Sequence, residues 1–411
     1  MKNLDTLTAY IKDSLPAMIS LQTLLTSIPA LSPESGGEGE LAKCEAFTLA
    51  LRELGFSKFD RYDTPDPRVA SKIRPNLVVT IPGADDSKRV WLMTHLDVVP
   101  PGEMAKWVTD PWTLVQKDGK LYGRGVEDNQ QGLVCSVFAA LSFIKTGITP
   151  PRTIKLLFVA DEEMGSDYGI QYILKAHDLF LPTDIIVIPD GGDDQGSTIE
   201  VAEKNLLWMK ASVRGKQAHG SRPDQGANAF LAGSDLALRL NGLETHFGKK
   251  DPLFDPDHST FQPTKKEANV PNINTIPGED VFYMDCRILP CYDLKTVRAE
   301  AERIAREVEK RHGVQITLSD EQAVESPATP LSAPVVKALS NAISEVYGIT
   351  PRPIGIGGGT VAAFLRQIGC DAVVWSRMDE TAHQPNEYCK LENLTGDSCV
   401  MAALILGSLD N

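Results

Sequence analysis

Apolar residues in this chain gather into short unbroken runs that stop at acidic residues or histidine. Val90-Trp91-Leu92-Met93 leads into His95-Leu96-Asp97, and Ile154-Lys155-Leu156-Leu157-Phe158-Val159-Ala160 leads into Asp161-Glu162-Glu163. Runs of this length read as buried strands, so strands are expected over 77–81, 90–93, 153–160 and 185–188. Helical spacing lies between them. It covers the first 30 residues, with Leu15, Ile19 and the cluster 21–25 ahead of Pro29, and 39–54, closed by Gly55. Further helices are expected after Gly132 and from Asp167. This alternation predicts an α/β fold, a mostly parallel sheet sandwiched by helices. Residues just past the strand ends then sit at the sheet mouth, where open α/β sheets bind ligands.

The pattern changes near Glu203. A strand with alternating faces over 206–213 is followed by a helix over 227–240 and strands over 261–266 and 281–288. The charged helix 294–312 ends at Gly313, before a strand over 314–318. The order β-α-β-β-α-β describes a small ferredoxin-like α+β unit with one open sheet face. After Pro327 the first rhythm resumes, with a helix over 333–347, apolar residues 372–375 and a last helix from Leu391. The expected organisation is one α/β domain formed by 1–203 and 327–411, interrupted by an inserted domain over 204–326.

Composition narrows the function classes. A net charge of −14 argues against nucleic acid or an anionic membrane surface as the main partner. No apolar stretch is long enough to span a bilayer, and residues 1–5 lack the apolar core of a signal peptide. The seven cysteines are scattered without paired spacing, which reads as reduced thiols. The expectation is a soluble, cytoplasmic protein.

The chemistry lies at the strand ends. His95, Asp128, Glu163, Asp190 and His383 are the candidate metal ligands, each at a predicted strand end or in the loop beyond it. Imidazole with carboxylate and no thiolate suits zinc, and also cobalt or manganese. Five donors exceed the need of one tetrahedral ion, whereas two ions about 3.5–4 Å apart sharing one carboxylate would use them all. Glu162 then stays free as a base toward water whose pKa falls from about 15.7 toward about 7 on a metal. Asp97 is placed to hold the His95 ring from behind. Taken singly, Glu162-Glu163 is an ordinary solvent-facing pair and Gly123-Arg124-Gly125 an ordinary turn. Their joint occurrence at strand ends is not ordinary. Gly357-Gly358-Gly359-Thr360 lacks the Gly-Lys-Ser/Thr that a phosphate loop requires.

Four strings together carry a family resemblance. They are Thr94-His95-Leu96-Asp97-Val98-Val99-Pro100; Gly123-Arg124-Gly125 with Asp128; Asp161-Glu162-Glu163 with Gly165-Ser166; and Ala382-His383-Gln384-Pro385-Asn386-Glu387. In this order the chain resembles the dinuclear zinc aminoacylase and carboxypeptidase family. That family includes acetylornithine deacetylase, succinyl-diaminopimelate desuccinylase, glutamate carboxypeptidase and several di- and tripeptidases.

The resemblance implies that His95, Asp128 and Asp190 hold one zinc, that Asp128, Glu163 and His383 hold the other, and that Glu162 is the general base and acid. It implies that the inserted unit is a lid and dimerisation domain. Within it, His219 of Gly215-Lys216-Gln217-Ala218-His219-Gly220-Ser221 would hold the oxyanion in a partner subunit's site. Arg287 would clamp a substrate carboxylate, and Asn274, Gly358 and Thr360 would contact substrate. The implied reaction is hydrolysis of the amide of a short peptide or N-acyl amino acid by a homodimer. Two departures stand out. Asn129, Gln130 and Gln131 replace the lysine and glycine usual after Asp128, and Val361-Ala362 replaces the Ser-Asp usual after the later glycine motif. By the resemblance, both are expected at the rim of the substrate pocket. Aspartate at position 190 leans toward the aminopeptidase and dipeptidase branches.

Overall fold

The apolar run 90–93 lies inside a longer strand, Asp85–His95, in the middle of an eight-stranded sheet. A computed structural model describes residues 2–407 of the chain. From one edge, the sheet runs Phe59–Arg61, Leu77–Ile81, Arg152–Val159, Asp85–His95, Ile185–Asp193, Ala372–Arg377, Thr198–Glu203 and Arg352–Ile356. The four strands from Arg152–Val159 to Ala372–Arg377 are mutually parallel. Leu77–Ile81 and Thr198–Glu203 pair antiparallel to their inner neighbours, as Phe59–Arg61 does to Leu77–Ile81, so the sheet is mixed. Short links explain this. Residues 82–84 and 194–197 are too few for the crossover that parallel strands require.

Thr198–Glu203 is a strand the hydrophobic pattern does not announce, because Thr198, Glu200 and Glu203 interrupt it. All six of its residues are nonetheless buried. The N-terminal helical stretch divides into Lys2–Asp13 and Leu15–Thr26. The helix expected from Asp167 begins only at Ile170, because residues 165–169 form turns. There the Ser166 N–H returns to the Asp161 carbonyl at 2.7 Å.

The helix Gln130–Thr146 is buried almost all round, as a central helix must be, and Leu391–Leu406 packs on it. Its close seating depends on Gly132. A Cβ there would fall 2.1 Å from the carbonyl oxygen of Pro189, the residue before Asp190.

By its internal contacts the chain forms two units. One comprises Met1–Val201, Thr329–Pro353 and Phe364–Asn411; the other comprises Ala202–Ala328 and Ile354–Ala363. The second unit holds a sheet in the order Thr260–Lys266, Glu279–Ile288, Asn205–Arg214, Gln315–Val324, with every adjacent pair antiparallel. Its two main helices are Ala229–Asn241, capped by the Asn228 side chain, and Leu294–His312, capped by Asp293. Leu207, Met209, Phe261, Phe282, Met284, Val297 and Ile304 form its core. Along Asn205–Arg214 buried residues alternate with more open ones, as expected of a sheet covered on one face. Among the described residues no helix is long and apolar enough to cross a membrane.

Gly132→Ala is expected to cost about 1–3 kcal/mol through overpacking against Pro189. A lowered urea midpoint at unchanged m-value is the readout.

Candidate metal centre

Strand ends and the loops beyond them bring the candidate ligands of the first unit together. His95 closes Asp85–His95, and Asp190 lies within Ile185–Asp193. Glu162 and Glu163 form a single helical turn just past Arg152–Val159. Asp128 precedes the helix Gln130–Thr146, and His383 follows Ala372–Arg377. His95 Nε2 lies 3.0 Å from Asp128 Oδ1 and 3.7 Å from Asp190 Oδ1. His383 Nε2 lies 3.1 Å from Asp128 Oδ2 and 3.0 Å from Glu163 Oε2. Asp128 thus turns one oxygen to each imidazole. Ligand atoms of His95, Asp128 and Glu163 lie within 4.8 Å of one another, as do those of His95, Glu162 and Asp190.

This donor set fits divalent metal. Crowding four part-buried carboxylates beside two imidazoles is costly without added positive charge. The buried Glu163 Oε1 has no hydrogen-bond partner, which leaves a lone-pair donor aimed at nothing in the protein.

Electrostatics point the same way. Burial pushes the Glu162 carboxyl well above its ordinary value; Asp190, Glu163 and Asp128 add to this while His95 opposes it. Burial likewise raises Glu163 and Asp190. Asp128 is held low against its burial by hydrogen bonds to His383 and His95. Hydrogen bonds to Asp128 and Glu163 push the half-exposed His383 up to about 10.

Asp97 does more than face the ring. His95 Nδ1 lies 3.0 Å from the Asp97 main-chain oxygen and 3.5 Å from its carboxylate. The carboxylate accepts the N–H of Glu162 at 3.1 Å and of Glu163 at 3.0 Å. It therefore orients both glutamates as well as the imidazole.

Two further buried carboxylates emerge whose roles the sequence did not reveal. Glu387 pairs with Arg124 at 2.6 Å and accepts the N–H groups of Gly125, Glu127 and Asp128. Glu127 accepts the N–H groups of Asp379 and Thr381 and the Thr381 hydroxyl. Each loop thereby fixes the other, one carrying Asp128 and the other His383. Glu387 stood inside a recognised motif, but the motif gave no sign of its partner. Asn129 donates to the Pro189 carbonyl at 2.8 Å and to Asp190. Gln130 and Gln131 are buried as well, and Gln131 donates to the Arg377 carbonyl at 2.8 Å. The expectation that these three residues line a pocket rim is corrected: they brace strands and loops inside the fold.

The remaining candidates lie in the second unit. His219 is exposed, and its Nδ1 accepts the Ser221 N–H at 3.1 Å. Asn274 immediately precedes the short strand Thr275–Ile276 that pairs with Ala218–His219, and its carbonyl takes the Gly220 N–H at 2.7 Å. Arg287 forms a two-pronged pair with Asp285 and donates to the Gly357 carbonyl at 2.9 Å, beside Gly358. That leaves two of its five N–H groups for a ligand. Glu203 holds Thr360 through both the N–H, at 3.0 Å, and the hydroxyl, at 2.6 Å.

A parallel-sheet edge bearing such ligands defines a metallohydrolase type of centre, and comparison with known proteins agrees. The chain belongs to peptidase family M20/M25/M40, whose family model matches residues 91–407. An uncharacterized metallohydrolase of Methanocaldococcus jannaschii is 37% identical over 398 residues, covering 93% of this chain and 97% of that protein. A succinyl-diaminopimelate desuccinylase of Coxiella burnetii is 26% identical, over 73% of this chain and 80% of its own. Aminopeptidase PepT from Bacillus cereus shares the fold with a TM-score of 0.75 at 20% identity, covering 95% of this chain and 98% of that one. Human carnosine dipeptidase 1 does so with a TM-score of 0.70 at 19% identity, covering 98% and 99%.

In metal-free protein His383 keeps its proton up to about pH 10, so its pairing stabilises fully below its ordinary value of 6.5 and is lost as pH rises through 10. A ligating imidazole must be neutral, so metal uptake near pH 7 is expected to release protons and to weaken as pH falls. Calorimetric titration with manganese in two buffers of different ionisation enthalpy measures that release.

Proposed function

We propose that the chain is a two-metal hydrolase, with zinc as the ions and cobalt or manganese as substitutes, that cleaves the amide of short peptides or N-acyl amino acids. The observation that carries this reading is Asp128, whose two oxygens face two different imidazoles, the arrangement of a carboxylate shared by two ions. His95, Asp128 and Asp190 would hold one ion, and Asp128, Glu163 and His383 the other. When bound, they supply Lewis acidity toward the scissile carbonyl and acidify water.

The chain's own residues do the rest. Glu162, part-buried and with its carboxyl raised, takes the proton of the attacking water and passes it to the leaving amine. Asp97 holds its backbone during that exchange. His219 steadies the oxyanion, Arg287 takes a substrate carboxylate, and Asn274, Gly358 and Thr360 position the substrate. The names of the relatives, desuccinylase on one side and aminopeptidase and dipeptidase on the other, support keeping both substrate classes. A purely binding role has no use for a free, part-buried Glu162 beside a complete ligand set. All seven cysteines are free, which supports a reducing, cytoplasmic setting.

The partner we propose is a second copy, docked through the second unit. Its edge strand Thr260–Lys266 and the exposed Phe230, Leu231 and Leu238 of the neighbouring helix support that choice. Sedimentation is expected to show a dimer that Leu238→Glu dissociates; a monomeric wild type would refute it.

Release of free amine from a pooled library of dipeptides and N-acyl amino acids, with zinc, cobalt or manganese added, tests the activity. Glu162→Gln is expected to lose roughly 10²–10⁴ in kcat while retaining its metal. No turnover of any amide by fully metallated protein would overturn the proposal.

A further inference from the structure

Residues 161–163 form a turn whose own backbone bonds hold its carbonyl side and leave its leading N–H groups to other partners. Asp161 sits at φ 65°, a conformation that residues with a side chain rarely adopt. Backbone bonds close the turn from the Gly165 N–H to the Glu162 carbonyl at 3.2 Å and from the Ser166 N–H to the Asp161 carbonyl at 2.7 Å, but neither engages its leading N–H groups. Its three leading N–H groups are instead taken by buried carboxylates from outside. Asp97 takes those of Glu162 and Glu163, and Glu40 Oε1 takes that of Asp161 at 3.3 Å.

Glu40 is itself held by Arg74. The Arg74 Nε lies 2.6 Å from Glu40 Oε2, and its Nη2 bonds Glu40 Oε1. The same Nη2 lies 3.4 Å from Asp161 Oδ1, and Nη1 lies 3.5 Å from Asp66 Oδ2. Arg74 and Glu40 are both fully buried, and neither belongs to any motif recognised in the sequence. Room for the guanidinium comes from Gly39, at φ 72°, where a Cβ would stand 3.0 Å from Arg74 Cδ and Nε.

We infer that Glu40 and Arg74 are positioning residues for the metal centre. Together they clamp both the main chain and the side chain of Asp161, and so set where Glu162 and Glu163 point. A buried ion pair is not by default a source of stability. This one has its atoms spent on the residue directly before the two glutamates. Arginine is required because a planar fork spans both Glu40 oxygens and still reaches Asp161, which a lysine ammonium cannot do.

The inference rests on the metal-centre reading, so its test reads metal binding directly. Cobalt is titrated into metal-free protein and followed by its visible absorption, alongside melting temperature and kcat on the best dipeptide found. Arg74→Gln is expected to lose roughly 10–100-fold in cobalt affinity and to alter the band shape, as the loss of a residue orienting a ligand does. Arg74→Lys should fall between it and wild type. Gly39→Ala, which changes no charge but presses on the guanidinium, should shift the spectrum in the same direction. A purely structural pair would lower the melting temperature yet leave the affinity and spectrum of the folded variants at wild-type values, and that result overturns the inference. If Arg74→Gln does not fold, Arg74→Lys and Gly39→Ala decide by the same criterion. Wild-type protein that takes up no cobalt would overturn the metal-centre reading and this inference with it; wild-type-like binding in folded variants overturns this inference alone.

Discussion

Concentrating negative charge at one part-buried end of the sheet is the constraint on which the rest of the first unit depends. Asp128, Glu162, Glu163 and Asp190 stand together there, and the protein must keep them from spreading apart. It does so by giving backbone N–H groups to a further set of buried carboxylates. Asp97 and Glu40 hold the turn bearing the two glutamates, Glu387 holds the loop of Asp128, and Glu127 holds the approach to His383. Arg74 and Arg124 face two of these carboxylates from behind. Carboxylates that would meet metal are thus separated from carboxylates that position the chain.

The scaffold beneath is equally specific. Four parallel strands deliver His95, the Glu162–Glu163 turn, Asp190 and the approach to His383 on one edge, because strands of one direction end on one side. Antiparallel strands flank this core, where links of three and four residues allow nothing else. Gly132 lets the central helix meet the strand just before Asp190, and Asn129 ties the two together.

Much of this was legible in the chain. Apolar runs ending in His95 and in Glu162-Glu163 announced the central strands, since a strand buried on both faces has no polar residues to alternate. Period and capping marked the helices Ala229–Asn241 and Leu294–His312. Thr198–Glu203 escaped because its buried glutamates break the run that marks a strand. Glu127, Glu387, Glu40 and Arg74 escaped for a different reason. Their roles arise from partners that only the tertiary fold brings near, as when Glu387 meets backbone some 260 residues earlier. No local pattern encodes such a meeting. Asp97 falls between the two cases: its closeness to His95 was readable, its hold on Glu162 and Glu163 was not.

The mutual hold of Glu127 and Glu387 also has a consequence in time. During synthesis the Asp128 loop leaves the ribosome long before residue 387 exists. Until then Gly125, Glu127 and Asp128 have no carboxylate to receive their N–H groups, and the segment around Thr381 that Glu127 will anchor has not been made. Six of the eight strands of the large sheet precede residue 352 and so are made earlier than this mutual hold. A chain that stops before residue 383 lacks both a candidate ligand and the carboxylate that orders the Asp128 loop, so the arrangement of the candidate centre is completed only once the C-terminal segment has been made.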